Sequence, residues 1–344
     1  MSEQTAFEYR NIYAMEWSKD GTRLAIATAD YIPPQKLDYF QIRVYDVTAD
    51  QTLYTIPLSW DDNNFNNLGW SEKHNSLISL TASGILKRYD GNSGTLINQW
   101  DAQGYVHPSA LNMPKQIAAL YIARGVLIPA NEQPLEIREI QTETLIQSLS
   151  LSFLNDDQYI DWMGWSADGS KLALLAREGR GFVYKWDKNS FIQEHEFAYN
   201  YIPSTLTTAD WCANGLEIAI TNDLAKAIDL YSIETNTVSQ PLAQSDHIRQ
   251  IKWSKDTNLI AGLTGQATSL YTADSIVKIW ERDTGKVIDE IRLPNQSGEQ
   301  LAWSHDGTLA IGCELPFAEW QQNPQQLGIT LWEPSSLPTK SRYI

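Results

Sequence analysis

Trp17-Ser-Lys-Asp-Gly21 returns as Trp165-Ser-Ala-Asp-Gly169 and again as Trp303-Ser-His-Asp-Gly307. Looser copies open at Trp70 (Trp-Ser-Glu-Lys-His), Trp211 (Trp-Cys-Ala-Asn-Gly) and Trp253 (Trp-Ser-Lys-Asp-Thr). The gaps between successive anchors are 53, 95, 46, 42 and 50 residues. The second gap spans two periods, and Met113, in Ala-Leu-Asn-Met-Pro-Lys-Gln, stands where the missing anchor is expected. Seven copies at a period of about 48 residues fill the chain, a spacing in the range of repeated β-sheet units.

Each copy reads as four short strands. A partly alternating strand, such as His247-Ile-Arg-Gln-Ile-Lys-Trp253, runs into the anchor. The x-Asp-Gly behind it is turn chemistry, because Asp accepts hydrogen bonds from its own backbone and Gly takes a positive φ. A small apolar strand follows, as in Leu24-Ala-Ile-Ala-Thr28 and Leu309-Ala-Ile-Gly312. The third strand ends on an aromatic, usually with an acid behind it: Tyr45-Asp46, Tyr89-Asp90, Trp186-Asp187, Trp280-Glu281, Trp332-Glu333. Tyr231-Ser232 and Arg138-Glu139 hold that place in the fifth and third copies. A short turn then leads to a fourth strand, as in Gly285-Lys-Val-Ile-Asp-Glu-Ile-Arg-Leu293.

This order resembles the WD-repeat β-propeller family. The resemblance implies an all-β chain, one seven-bladed propeller of four-stranded antiparallel blades over residues 1–344. The sixth copy is the best match. There the resemblance implies a hydrogen-bonded structural tetrad of His247, Thr264, Asp274 and Trp280. Gly-His dipeptides, frequent in that family, are absent from every copy. For ring closure the family habit favours the N-terminal segment, Glu3 to Glu8, as the outer strand of the last blade. The tail Thr339 to Ile344 is the competing candidate. Closure in either form removes exposed sheet edges.

Composition bounds the function. The 344 residues carry 26 Lys and Arg against 42 Asp and Glu, a formal charge of −16. Such a chain is a poor partner for duplex nucleic acid, whose phosphates need Lys and Arg to displace counterions. It is equally ill-suited to an anionic membrane surface. Cys212 and Cys313 fit neither a disulfide framework nor a zinc spacing, and no apolar run is long enough to span a bilayer. A soluble, cytoplasmic protein without cofactors or metal is expected.

Function is sought where the copies differ, because loops on a rigid scaffold carry it. From strand-one anchor to strand-three position, copies two, four and five span 19, 21 and 20 residues, and copy three spans 25. Copies six, seven and one span 27, 29 and 28. In a closed ring these three are neighbours, so their insertions line one arc of the face that the resemblance designates as the top. The inserted residues include Tyr31, Pro33, Tyr39 and Phe40 in copy one, Tyr271 in copy six, and Phe317 and Trp320 in copy seven. Trp60 and Tyr201 lie in connections between blades on the same face, beside acidic runs such as Asp61-Asp62 and Asp156-Asp157. Aromatic anchors of this kind dominate protein interfaces, and the acidic surroundings would steer a basic or extended segment of a partner. The expected function is a non-enzymatic scaffold, a subunit or regulator of a larger complex. The alternatives are a propeller hydrolase or lyase using channel-mouth carboxylates, and a sensor of a small ligand in the central channel. Against an enzyme stand the lack of a nucleophile elbow, a phosphate loop or a dinucleotide fingerprint.

Overall fold

The fold follows from seven repetitions of one hairpin chemistry. In a computed structural model the described residues are 9–32, 37–59, 65–102, 104–123, 134–151, 154, 159–187, 190–200, 207–222, 226–238, 242–243, 247–265, 275–293, 298–316, 328–334 and 342–343. They form seven antiparallel sheets, or blades, each built in the order first, second, third, fourth strand. The first strands are Tyr9–Trp17, Phe65–Ser71, Tyr105–Asn112, Ile160–Trp165, Ala209–Trp211, Ile248–Trp253 and Gly298–Trp303. Each packs against the first strands of both neighbouring blades, and Gly298–Trp303 meets Tyr9–Trp17. The ring is therefore closed, with the first strands lining its axis.

The repeated Trp-Ser-x-Asp motif supplies two devices. The first is the turn. The Ser18 hydroxyl donates to Asp20 Oδ1 at 2.7 Å, and the same oxygen accepts the Thr22 N–H at 3.0 Å. Ser18 Oγ in turn accepts the Arg23 N–H at 2.9 Å. The same triangle recurs at Ser166-Asp168-Ser170, Ser254-Asp256-Asn258 and Ser304-Asp306-Thr308. The Ser18 hydroxyl, joined by Thr22, holds the Asp20 carboxyl below the usual carboxylate range. Gly21 and Gly307 close their turns at φ of 70° and 88°, a region costly for any residue with a Cβ.

The second device is a clasp between blades. The Trp17 indole N–H donates to Ala302 O at 3.0 Å, Trp70 to Glu16 O at 3.1 Å, Trp165 to Ala110 O at 3.2 Å, Trp211 to Gly164 O at 2.7 Å and Trp303 to Lys252 O at 3.1 Å. All five acceptors are the residue directly before the previous blade's own anchor, which in the third copy is Leu111. Trp253 differs, donating to Thr257 O within its own turn. The clasps sit in apolar clusters shared by adjacent blades. One joins Ile12, Met15, Trp17, Leu24, Ile26 and Tyr45 of blade one to Ala302, Ala310, Ile329 and Leu331 of blade seven. Full burial of each aliphatic side chain of this size stabilises by about 1.5–3 kcal/mol.

The register corrects the third copy. Leu111 lies opposite Ala118, as Trp165 lies opposite Leu172. Leu111, not Met113, is therefore the anchor, and Ala110, the acceptor for Trp165, immediately precedes it. Met113 sits two residues further, in the turn, packed where a Cβ on Gly69 would come within 2.6 Å of its sulfur. The connection from Ile117–Ala123 to Leu135–Glu139 is then as long an insertion as those of blades six, seven and one. In blade four the residue opposite Leu172 is Tyr184, not Trp186. Trp186 stands two residues on, only partly buried, with its ring centroid 4.7 Å from that of Phe191.

The last blade takes its outer strand from the C-terminal tail: Arg342 pairs with Leu331 and Tyr343 with Thr330. The place expected for Glu3 to Glu8 is thus filled by the competing segment, and residues 1–8 lie outside the described ones. The tail follows the third strand directly, so closing that loop costs less chain entropy than recruiting the far end of the chain.

Of the tetrad implied for blade six, the Thr264–Trp280 link falls wholly within the described residues, and that link is not made. Trp280 is fully buried, but its indole N–H has no partner among the described residues. The Thr264 hydroxyl donates to Ile276 O at 3.0 Å instead. His247 is exposed and Asp274 lies outside the described residues. Trp280 is held by shape: its ring covers Gly262, where a Cβ would approach to 2.8 Å.

Candidate interaction surface

All seven first strands begin at one rim of the ring and end, at the anchor, on the other. The connections from second to third strand and from one blade to the next therefore emerge at the upper rim, and the Ser-x-Asp turns at the lower rim. The upper rim is not level. In blade one the second and third strands, Arg23–Ile32 and Leu37–Asp46, stay paired without interruption from Arg23 opposite Asp46 to Ile32 opposite Leu37. Ten residues on each side compare with six in the second strand of blade two, Ser76–Thr81. At about 3.4 Å per residue, four extra residues raise this hairpin about 14 Å. The insertion of copy one is thus an arm of regular sheet rather than an irregular loop.

The insertion of blade seven reaches this arm. Leu315–Pro316 pairs antiparallel with Tyr9–Arg10, extending blade one on its axis-facing edge. Blades seven and one are consequently joined three times: by this strand, by the Trp17 clasp, and by the Ile12 N–H donated to Glu299 Oε2.

The predicted contact residues divide as follows. Tyr31 lies opposite Tyr9 on one side and Asp38 on the other, and Tyr39 lies opposite Asp30, all within the arm. Phe40, opposite Ala29, is only 8% exposed. It belongs to the interior of blade one and not to a contact surface, because alternation along the strand turns it inward. Pro33, Trp60, Tyr201, Tyr271, Phe317 and Trp320 lie outside the described residues.

A carboxyl group missed in the sequence sits at the same junction. Burial, reinforced by Glu314 nearby, pushes the Glu299 carboxyl up to about 8, against the opposing pull of the Ile12 N–H and Arg249. Burial also raises the half-buried Glu314, again opposed by Arg249. Cys313 between them is pushed up to about 12, by burial and then by Glu299. Neither cysteine is a reactive thiol, since both are buried and Cys212 is likewise pushed up, to about 11. Glu299 has counterparts. Gln250 Oε1 accepts the Leu301 N–H at 2.5 Å, and Asp210 Oδ2 accepts the Trp253 N–H at 2.7 Å. In each case a first-strand side chain ties the backbone of the next blade's first strand.

Elsewhere on this rim, Tyr159 is 40% exposed with the Arg177 guanidinium 5.2 Å from its ring centroid, and Arg177 also pairs with Asp161 at 2.9 Å. Aromatic and acidic groups therefore share this stretch with an arginine. Among the described residues no group of three His, Cys, Asp or Glu is placed to hold a metal ion.

Seven four-stranded blades closed in a ring define a seven-bladed β-propeller, and the anchor and turn chemistry described above resembles that of WD repeats. No protein-family model matches the chain, and no curated protein matches it. Solved structures do. One is a chain in the crystal structure of the mitotic checkpoint complex, at 15% identity and a TM-score of 0.65, covering 88% of this chain and 85% of that one. Another is the β-propeller domain of Myceliophteria thermophila Cps50 (Swd1), at 13% identity and a TM-score of 0.66, covering 89% and 95%. At such identities the likeness is one of fold.

Proposed function

We propose that this propeller is a non-enzymatic scaffold that captures a protein partner on its upper rim at blades six, seven and one, as a subunit or regulator of a larger complex. The observation that carries the reading is the raised arm of blade one, stapled by Leu315–Pro316 of the blade seven insertion. It carries Tyr31 and Tyr39 on regular paired sheet, and order before binding lowers the cost of binding. One of the two similar structures supports it in kind, since that chain is part of a protein complex. The Glu299–Glu314 pair is the feature a carboxylate-based hydrolase would use. Glu299 instead accepts a backbone N–H of the next blade's first strand, as Gln250 and Asp210 do at other heights between other blades, which favours a scaffold role.

Affinity purification from the native host tests this, comparing the wild-type chain with Tyr39→Ala/Trp320→Ala. Phe40 stays intact, because its removal would report on the interior. Loss of the co-purifying protein, with unchanged thermal unfolding, is the expected result. Undiminished capture by the variant would overturn the proposal.

A further inference from the structure

The insertion of blade seven reaches blade one as a short strap, Leu315–Pro316, and two carboxyl groups stand at its root. Glu314 is the residue directly before the strap. Glu299 lies by the same strand end, since its neighbour Gly298 pairs with Cys313. The Glu299 carboxyl accepts the N–H of Ile12, two residues beyond Arg10, and Arg10 is the partner of Leu315. Among the described residues, three elements face this pair. Blade six brings Arg249, which pulls on both carboxyls and donates to Gly298 O at 3.4 Å. Blade seven itself adds Cys313, a buried thiol pushed up to about 12 and so uncharged. Blade one contributes the Ile12 N–H. One guanidinium is thus set against two partly or wholly buried carboxyls. Burial wins over Arg249 at each, and both groups are held above the ordinary carboxylate range.

The strap is lightly seated. Its pairing with blade one is two residues long, Tyr9 opposite Pro316 and Arg10 opposite Leu315, and Pro316 has no N–H to donate. The strand that leads to it, Leu309–Cys313, is buried throughout and paired on both sides. Movement is therefore confined to the chain from Glu314 onward, and segments of such low local stability open without global unfolding.

We propose that Leu315–Pro316 is a proton-controlled strap: it lies on Tyr9–Arg10 while Glu299 and Glu314 hold a proton between them, and lifts from blade one when both ionise. Lifting carries Glu314 away from Glu299 and into water, which relieves both the repulsion and the burial. The seated form binds more protons than the lifted one, so seating is favoured in acid and lost as pH rises toward about 8.

Hydrogen exchange of the full chain at pH 6, 7 and 8, read by mass spectrometry and corrected for the intrinsic chemical rate, tests the strap directly. In the wild type, exchange of Tyr9–Ile12 should rise about tenfold from pH 6 to pH 8, the effect of relieving about one pKa unit. Leu24–Ala27, fully buried and paired on both sides, should stay protected throughout. Glu299→Gln and Glu314→Gln each remove one charge while keeping the bulk, and each should abolish most of the rise. This readout holds whether or not the arm captures a protein. The same rise in both variants as in the wild type, or no rise in the wild type, would overturn the proposal.

Discussion

Trp17→Ala will unfold at markedly lower urea concentration than the wild type, with a loss of about 4 kcal/mol, the scale of a large aromatic deleted from a packed interior. Trp17 is only 5% exposed and lies in the cluster that joins blades seven and one. The deletion removes that packing and also leaves Ala302 O without its indole donor. Trp17→Phe isolates the second term: most of the packing is kept and the clasp is lost, for about 1–2 kcal/mol. Trp253→Phe is the internal control. Trp253 donates to Thr257 within its own turn, so its replacement breaks no bond between blades. If ring closure rests on these clasps, only Trp17→Phe should lower the slope of the unfolding transition, by uncoupling blades seven and one. Equal, fully cooperative transitions in the two Phe variants would show that the indole bonds add nothing to packing.

Glu299→Gln will stabilise the protein above neutral pH and leave it nearly unchanged in acid. In the folded chain, burial and Glu314 raise the Glu299 carboxyl from the ordinary value of 4.5 to about 8. Between those two values the folded state holds a proton that the unfolded state has released. Wild-type stability therefore falls as pH rises from about 4.5 to about 8, where the buried group must ionise. Glutamine keeps an oxygen for the Ile12 N–H and carries no charge to desolvate. The expected gain over wild type is about 2 kcal/mol at pH 9, shrinking toward zero near pH 4. Urea unfolding across this range measures it. A gain that grows toward acid would mean that Glu299 is ionised in the fold and stabilised by Arg249.

The propeller was legible because its decisive signal is local. A Trp-Ser-x-Asp turn satisfies its own hydrogen bonds, so seven approximate copies announce seven hairpins before any long-range contact is considered. The errors arose where that signal fades. Copy three has Leu111 for Trp, and Gln116 at a φ of 58° where a glycine would have marked the turn. Its anchor was read two residues late and its long connection was missed. The outer strand of blade seven depends on competition between two chain ends, which strand propensity does not decide. Phe40 looks like any aromatic of an insertion, until uninterrupted pairing from Arg23 to Ile32 shows that the insertion continues the sheet. Glu299 gave no signal: it is set against blade one, whose Ile12 N–H it accepts, only when the ring closes.

The central claim is that the arm at blades seven and one is where a protein partner docks. The most direct test places a photo-crosslinking amino acid at Tyr39 in one chain and at Ile192 in another, both expressed in the native host. Ile192 is 55% exposed on the outer strand of blade four, well away from the arm. Specific crosslinks to the co-purifying protein from position 39, with none from position 192, are the predicted result. Crosslinks from 192 but not from 39 would contradict the account.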